Sequence, residues 1–264
     1  MALKRSAAHA NEREAAYDPE LYALLHRGTP GDERVYLDAA RGVQQMLELG
    51  CGYGRLLVPL ARAGHRVTGL ELDPGLLDLA RGAVAGLAPA ARARVTLVHG
   101  DMRDFQLGER FERVFIPFSG LYCLRSEADM IACLQRVRDH LTPDGVLVFD
   151  AYVIDAFHAH ADPGEEQDDG EPVARVVWRN VAYDVFETTA WDRPAQRLHV
   201  TYRYQPTGPG TPRYGTIRHR YLLTTQVAGL CARAGLRLHD AGRDLAGAAL
   251  SAHAEHMVCT AVPD

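Results

Sequence analysis

A glycine-rich turn set between two kinds of apolar patterning constrains this chain more than any other feature. The run Gln45-Met46-Leu47-Glu48-Leu49 is short and apolar, as a strand is, and leads into Gly50-Cys51-Gly52-Tyr53-Gly54. Leu56, Leu57, Leu60 and Ala61 then recur at helical spacing. Glycines let a backbone turn sharply and approach a ligand, so strand, glycine turn and helix read as the first unit of an alternating β-α chain.

The alternation continues. Arg66 to Leu72 predicts a second strand, and Asp73-Pro74 supplies the cap and first turn of a helix carrying Leu76, Leu77, Leu79 and Ala80. Val95 to Val98 and Arg113 to Pro117 predict strands three and four, Glu127 to Leu141 a helix, and Val146 to Asp150 a fifth strand after the turn Pro143-Asp144-Gly145. Parallel strands need crossover connections, so the expected class is α/β, a doubly wound and mostly parallel sheet with helices on both faces.

Beyond residue 151 the grammar changes. Residues 152 to 172 are polar and acidic and read as a loop, after which Arg175–Trp178, Ala182–Trp191, Arg197–Tyr204 and Thr216–Leu223 are rich in Val, Thr, Tyr and Trp. The turn signals Asp192-Arg193-Pro194 and Pro206 to Gly210 make this an antiparallel β insertion after the fifth strand. A helix from Thr225 to Ala234 and strands near Leu236–His239 and Met257–Ala261 return to the main sheet. The expected organisation is a helical lid over 1–44, in which Glu12 to Arg27 has helical spacing broken at Asp18-Pro19, a cofactor-binding core over 45–151, a substrate cover over 152–223 and a closing segment over 224–264.

Composition narrows the function. No apolar run approaches the ~18 residues of a membrane span, and Met1-Ala2-Leu3-Lys4-Arg5 is not followed by an apolar stretch, so neither membrane nor export is expected. The five cysteines are scattered without a C-x-x-C pair, which fits a cytoplasmic protein. A net charge of −5 gives no electrostatic reason to expect nucleic acid. No metal site is expected either: His158 and His160, with nearby acids, and His253 with His256 lack a known ligand spacing. The exposed edge of the β insertion is compatible with a homodimer.

The chemistry-bearing residues fall at the carboxyl ends of neighbouring strands, where open α/β sheets bind ligands. Glu71, 21 positions after Gly50, sits where a carboxylate accepts both ribose hydroxyls of a nucleoside. Asp101 can accept from an adenine amino group and Met102 offers the ring an apolar surface. The dinucleotide fingerprint requires glycine where this chain has Arg55, which counts against a nicotinamide-dependent dehydrogenase.

Together these residues resemble the motifs of the class I S-adenosylmethionine (SAM)-dependent methyltransferases over residues 45–151. Met46-Leu47-Glu48-Leu49-Gly50-Cys51-Gly52 is similar to the family's first motif, Gly69-Leu70-Glu71-Leu72-Asp73 to its second, His99-Gly100-Asp101-Met102 to its third and Phe115-Ile116-Pro117-Phe118-Ser119 to its fourth. The resemblance implies SAM as cofactor and S-adenosylhomocysteine as product, with Gly50 and Gly52 at the methionyl moiety, Glu71 at ribose, and Asp101 with Met102 at adenine. Glu48, Cys51, Arg55, Leu72, Pro117 and Tyr17 complete the expected cofactor set.

Tyr17 and the β insertion resemble a subgroup that methylates small molecules such as amino sugars and natural-product intermediates, in which an N-terminal tyrosine closes over the cofactor. Sugar N-methyltransferases of that subgroup carry a histidine where this chain has Cys123. The expected reaction is in-line methyl transfer to N, O or C of a small acceptor, governed by positioning, with Tyr17, Tyr122 and Ser119 as candidate catalytic residues acting mainly by positioning. The alternative is a SAM-binding protein that catalyses a cyclisation or rearrangement, since fold does not fix function.

Overall fold

The computed structural model describes residues 17–160, 166–168 (backbone only), 170–251 and 254–264. In chain order, helices α1 (Pro19–Leu25) and α2 (Asp32–Ala39) precede β1 (Gln45–Leu49), α3 (Leu57–Arg62), β2 (Arg66–Glu71), α4 (Pro74–Ala85), α5 (Pro89–Arg92), β3 (Val95–His99) and β4 (Phe111–Ile116). A 3₁₀ turn (Gly120–Cys123), α6 (Glu127–His140), β5 (Leu141–Tyr152), α7 (Asp155–His160) and the strands β6 (Glu166–Asp168), β7 (Ala174–Trp178), β8 (Val181–Asp192), β9 (Arg197–Pro206) and β10 (Arg213–Arg220) follow. The chain ends with α8 (Val227–Arg233), β11 (Leu236–Arg243) and β12 (His256–Pro263).

These elements form two compact units. One, residues 28–159 and 222–264, is the α/β unit, a seven-stranded sheet in the order β11-β12-β5-β4-β1-β2-β3. Strands β1 to β5 are parallel, and β12 runs antiparallel to both β5 and β11. The order reverses between β1 and β4, which creates the crevice at their carboxyl ends. Caps fix where the helices start: the Asp73 carboxylate accepts from the Leu76 amide with Pro74 in the first turn of α4, and the Ser126 hydroxyl accepts from the Asp129 amide at α6. Tyr36 and Ala40 pack with Met46, Leu56, Leu57, Leu60, Val67, Phe115 and Val148 in a core cluster of this unit.

The other unit, described over 17–27, 160, 166–168 and 170–221, is an antiparallel sheet ordered β10-β9-β8-β6, with β7 also paired to β8. Asp18 caps α1, its carboxylate accepting from the Glu20 and Leu21 amides. Leu21 of α1 is buried with Val176, Trp178, Tyr183, Val185 and Tyr204. The period of two puts these strand residues on one face and leaves Val177 outward and exposed.

The doubly wound sheet with an antiparallel insertion is therefore the fold that the sequence predicts. Two local readings are corrected. Residues 152–172 are not loop throughout, because they contain α7 and the short strand β6. Polar composition hid α7, whose first residue, Asp155, accepts from the Thr224 amide and hydroxyl. Strand β5 begins at Leu141 rather than Val146: Leu141 already pairs with Phe111, and the Pro143-Asp144-Gly145 segment is a bulge before Val146 pairs with Arg113. Ala15, Ala16, most of the acidic 161–169 segment and His253 lie outside the described residues.

Candidate active site

The site is built on the turn after β1. Gly50 and Gly52 both take positive φ, +67° and +55°, a region that L-residues with side chains rarely adopt. The Gly50 and Cys51 amides donate to the Leu70 carbonyl, stitching the turn to β2. A Cβ on Gly50 would lie 3.4 Å from the Met102 methyl, so the first and third motifs meet at this glycine.

Glu71 closes β2 beside that turn. One carboxylate oxygen accepts from the Gly52 amide and the other from the Asp73 amide, each at 2.8 Å. The side chain is 8% exposed; burial raises its pKa, and the backbone hydrogen bonds oppose that rise. The two oxygens together offer about four acceptor directions, and the backbone amides of Gly52, Asp73 and Leu72 leave room for a further donor. Leu72, next in the chain, is 57% exposed, an apolar surface at the mouth of the crevice.

Asp101 follows β3 and is gripped by Arg103, whose side-chain nitrogens reach both carboxylate oxygens. Arg103 also reaches Asp129 in the first turn of α6. These bonds hold Asp101 below the usual carboxylate range, so it remains an acceptor at neutral pH.

Beside the turn, the expected residues Glu48 and Arg55 belong to a polar cluster whose other members, Asp32, Tyr36 and Asp150, sequence reasoning did not find. The Arg55 guanidinium makes a two-pronged ion pair with Asp32, at 2.8 and 2.7 Å, and lies 5.8 Å from the Phe118 ring. Glu48 is 2% exposed, and its Oε2 has no hydrogen-bond partner among the described residues. Burial pushes its carboxyl up to about 8, against the pull of Arg55. Asp150, fully buried two residues before the end of β5, accepts from the Tyr36 hydroxyl and the Phe118 amide, while its Oδ2 is without a side-chain partner among the described residues. The available signal was weak: a carboxylate closing an apolar strand, and a tyrosine and an aspartate on a short helix.

Among the other expected residues, Cys51 and Pro117 are buried in the α/β unit. Ser119 accepts from the Tyr152 amide through its hydroxyl, and Tyr122 is fully buried with its hydroxyl directed to the Leu222 and Tyr152 carbonyls. Tyr17 belongs to the antiparallel unit, where its hydroxyl lies 2.6 Å from that of Tyr204 and 3.0 Å from His26 Nε2. Its ring covers Gly215 of β10 so closely that a Cβ there would stand 2.3 Å from it. Among the described residues no three His, Cys, Asp or Glu converge as metal ligands, and no helix is long and apolar enough to cross a membrane.

Sheet order, glycine turn and the acid that closes β2 define the class I methyltransferase fold. Residues 46–145 match the methyltransferase domain family. Over 141 residues, 50% of this chain and 52% of the relative, the sequence is 37% identical to the dTDP-3-amino-3,6-dideoxy-alpha-D-glucopyranose N,N-dimethyltransferase of Streptomyces fradiae. The chain thus spans about half the length of the curated relatives it matches. The solved CcbJ methyltransferase of Streptomyces caelestis superposes with a TM-score of 0.76 and 26% identity, covering 89% of this chain and 90% of that one. The amino pentose methyltransferase CalS10 of Micromonospora echinaspora, solved with SAM bound, shares the fold at a TM-score of 0.63 and 22% identity over 100% of this chain and 99% of its own. Residues 46–145 are thus similar to the methyltransferase domain family, and the fold is that of the class I methyltransferases.

Proposed function

We propose that this protein binds SAM and transfers its methyl group to the amino nitrogen of a small acceptor, an amino sugar or related natural-product intermediate. The observation that carries the reading is the Glu71 carboxylate, which braces Gly52 and Asp73 at the crevice and keeps acceptor capacity for a further donor. Gly50 and Gly52 leave room for a close backbone approach at the methionyl end. Asp101 and Met102 would hold adenine, with Leu72 beside the ring. Glu48, buried with an unpartnered oxygen, suits a ligand that brings a hydrogen-bond donor.

When bound, SAM supplies a methyl group on a sulfonium leaving group. The chain's task is then to align the acceptor nitrogen with that methyl and to exclude water. Pro117, Ser119 and Tyr122 are assigned to shaping the acceptor side of the turn after β4. The choice of nitrogen rests on relatives named as N,N-dimethyltransferases of dTDP-linked amino sugars.

The test is incubation with SAM and dTDP-3-amino-3,6-dideoxy-α-D-glucopyranose, beside a panel of small amines, phenols and acids, read by mass spectrometry. One or two methyl increments on an amine, with one S-adenosylhomocysteine released per methyl, are expected. Methylation confined to phenols or acids would refute nitrogen as the target, and product formation without a methyl increment would refute methyl transfer.

A further inference from the structure

Two consecutive residues after β4, Phe118 and Ser119, sit in the left-handed region at φ +55° each. Neither is glycine, and a side chain makes this conformation unfavourable, so surrounding bonds must hold both residues there. Those bonds come from β5. The Phe118 amide donates to Asp150 Oδ1 at 2.7 Å, and the Tyr152 amide donates to the Ser119 hydroxyl at 3.1 Å. Asp150 is itself oriented by the Tyr36 hydroxyl, which donates to the same oxygen at 2.5 Å across 114 positions of sequence.

Asp150 is wholly buried, and its Oδ2 has no side-chain partner among the described residues. A carboxyl in an apolar core at such cost is difficult to explain as packing, because an alanine or valine would fill this strand position without desolvation. Its function is legible in its partners: one phenol that orients it and the backbone of the strained Phe118–Ser119 turn that it restrains. That turn directly follows Pro117 at the carboxyl end of β4, beside the point where the strand order reverses and ligands bind.

We propose that Asp150 and Tyr36 are positioning residues of the active site, an acid–phenol pair that holds the Phe118–Ser119 turn in its left-handed form so that the turn shapes the acceptor side of the crevice. Neither residue touches the reacting atoms; both act through the turn. This inference rests on the methyl-transfer reading for its effect on turnover but not for its structural content.

The experiment compares wild type with Asp150→Ala, Asp150→Asn and Tyr36→Phe. It uses three readouts: amide hydrogen exchange at Phe118 and Ser119, calorimetric titration with SAM, and S-adenosylhomocysteine formation with dTDP-3-amino-3,6-dideoxy-α-D-glucopyranose as the probe. Asparagine keeps a carbonyl oxygen for the Phe118 amide and alanine does not, so the conservative variant should rescue. Exchange at Phe118 should rise about tenfold or more in Asp150→Ala and much less in Asp150→Asn, with Tyr36→Phe between them. The SAM dissociation constant should change by less than about threefold, whereas turnover should fall about tenfold in Asp150→Ala and recover in Asp150→Asn.

Unchanged exchange at Phe118 in a folded Asp150→Ala protein would overturn the proposal, as would faster exchange with wild-type turnover. Equal losses in Asp150→Asn and Asp150→Ala would overturn it too, since the charge rather than the restraint would then matter. If wild type does not turn over the probe, the methyl-transfer reading fails on that acceptor while the exchange comparison still decides whether the pair holds the turn.

Discussion

Replacing Glu48 with glutamine should change how the α/β unit's stability depends on pH. Glu48 is buried, and its carboxyl is pushed up to about 8 from an ordinary value of 4.5. The folded protein therefore holds a proton there that the unfolded chain has released, and stability falls as pH rises between those two values. From about pH 6 to about pH 8 the loss from this single group is about 2 kcal/mol. At a urea dependence of about 2 kcal/mol per M, the unfolding midpoint should drop by roughly 1 M more in wild type than in Glu48→Gln, whose side chain is neutral throughout.

The assay is urea unfolding at the two pH values followed by far-UV circular dichroism. Both tryptophans, Trp178 and Trp191, lie in the antiparallel unit, so their fluorescence reports the wrong part of the molecule. Parallel pH dependences in wild type and Glu48→Gln would show that Glu48 is ionised in the folded state and would refute the reasoning.

Asp32→Ala should destabilise the α/β unit by about 3–5 kcal/mol, because it strands the Arg55 guanidinium without its two-pronged partner; chemical denaturation measures this, and a loss below about 1 kcal/mol would contradict it. Gly215→Ala should cost about 1–3 kcal/mol in the antiparallel unit, since the new Cβ meets the Tyr17 ring at 2.3 Å; tryptophan fluorescence reads that unit directly. Burial lowers His26 to about 4, so the folded state resists its protonation, and stability should fall as pH drops from about 6.5 toward that value. The share of this group is about 2 kcal/mol by about pH 5. His219 in the same unit is also lowered to about 4 by burial, so His26→Gln should keep a pH dependence shallower than wild type by that amount, a comparison that fluorescence-detected urea unfolding makes.

Much of the fold was legible because its elements announce themselves locally. β1, the glycine turn and α3 show apolar run, breaker and helical spacing within 18 residues, and Asp73-Pro74 marks the start of α4 with a cap whose hydrogen bond is present. β8 and β9 were readable from their Val, Thr, Tyr and Trp content and from the turn signals at Asp192-Arg193-Pro194 and Pro206 to Gly210 that bound them. α7 was missed because a six-residue helix in a polar stretch has too little apolar face to leave a pattern.

The candidate site divides along the same physical line. Glu71 could be named from its place at the end of a strand, and its bracing of Gly52 and Asp73 makes geometric sense of that position. The pairings Arg55–Asp32 and Tyr36–Asp150 could not, because they join residues 23 and 114 positions apart by tertiary contact, which neither propensity nor periodicity encodes. Arg55, expected at the cofactor, has its guanidinium tied to Asp32. Tyr17, expected as a cofactor cover, has its hydroxyl between Tyr204 and His26.

The central claim is that the turn after β1 and the acid that closes β2 form a SAM site. Calorimetric titration with SAM, S-adenosylhomocysteine and NAD on wild type, Glu71→Ala and Asp101→Ala tests it most directly. The account predicts micromolar binding of the first two ligands and none of NAD. Weakening should be about tenfold or more in Glu71→Ala, which would lose the charge-assisted hydrogen bonding proposed for ribose, and smaller in Asp101→Ala. Binding of NAD alone, or SAM affinity unaffected by Glu71→Ala, would contradict it.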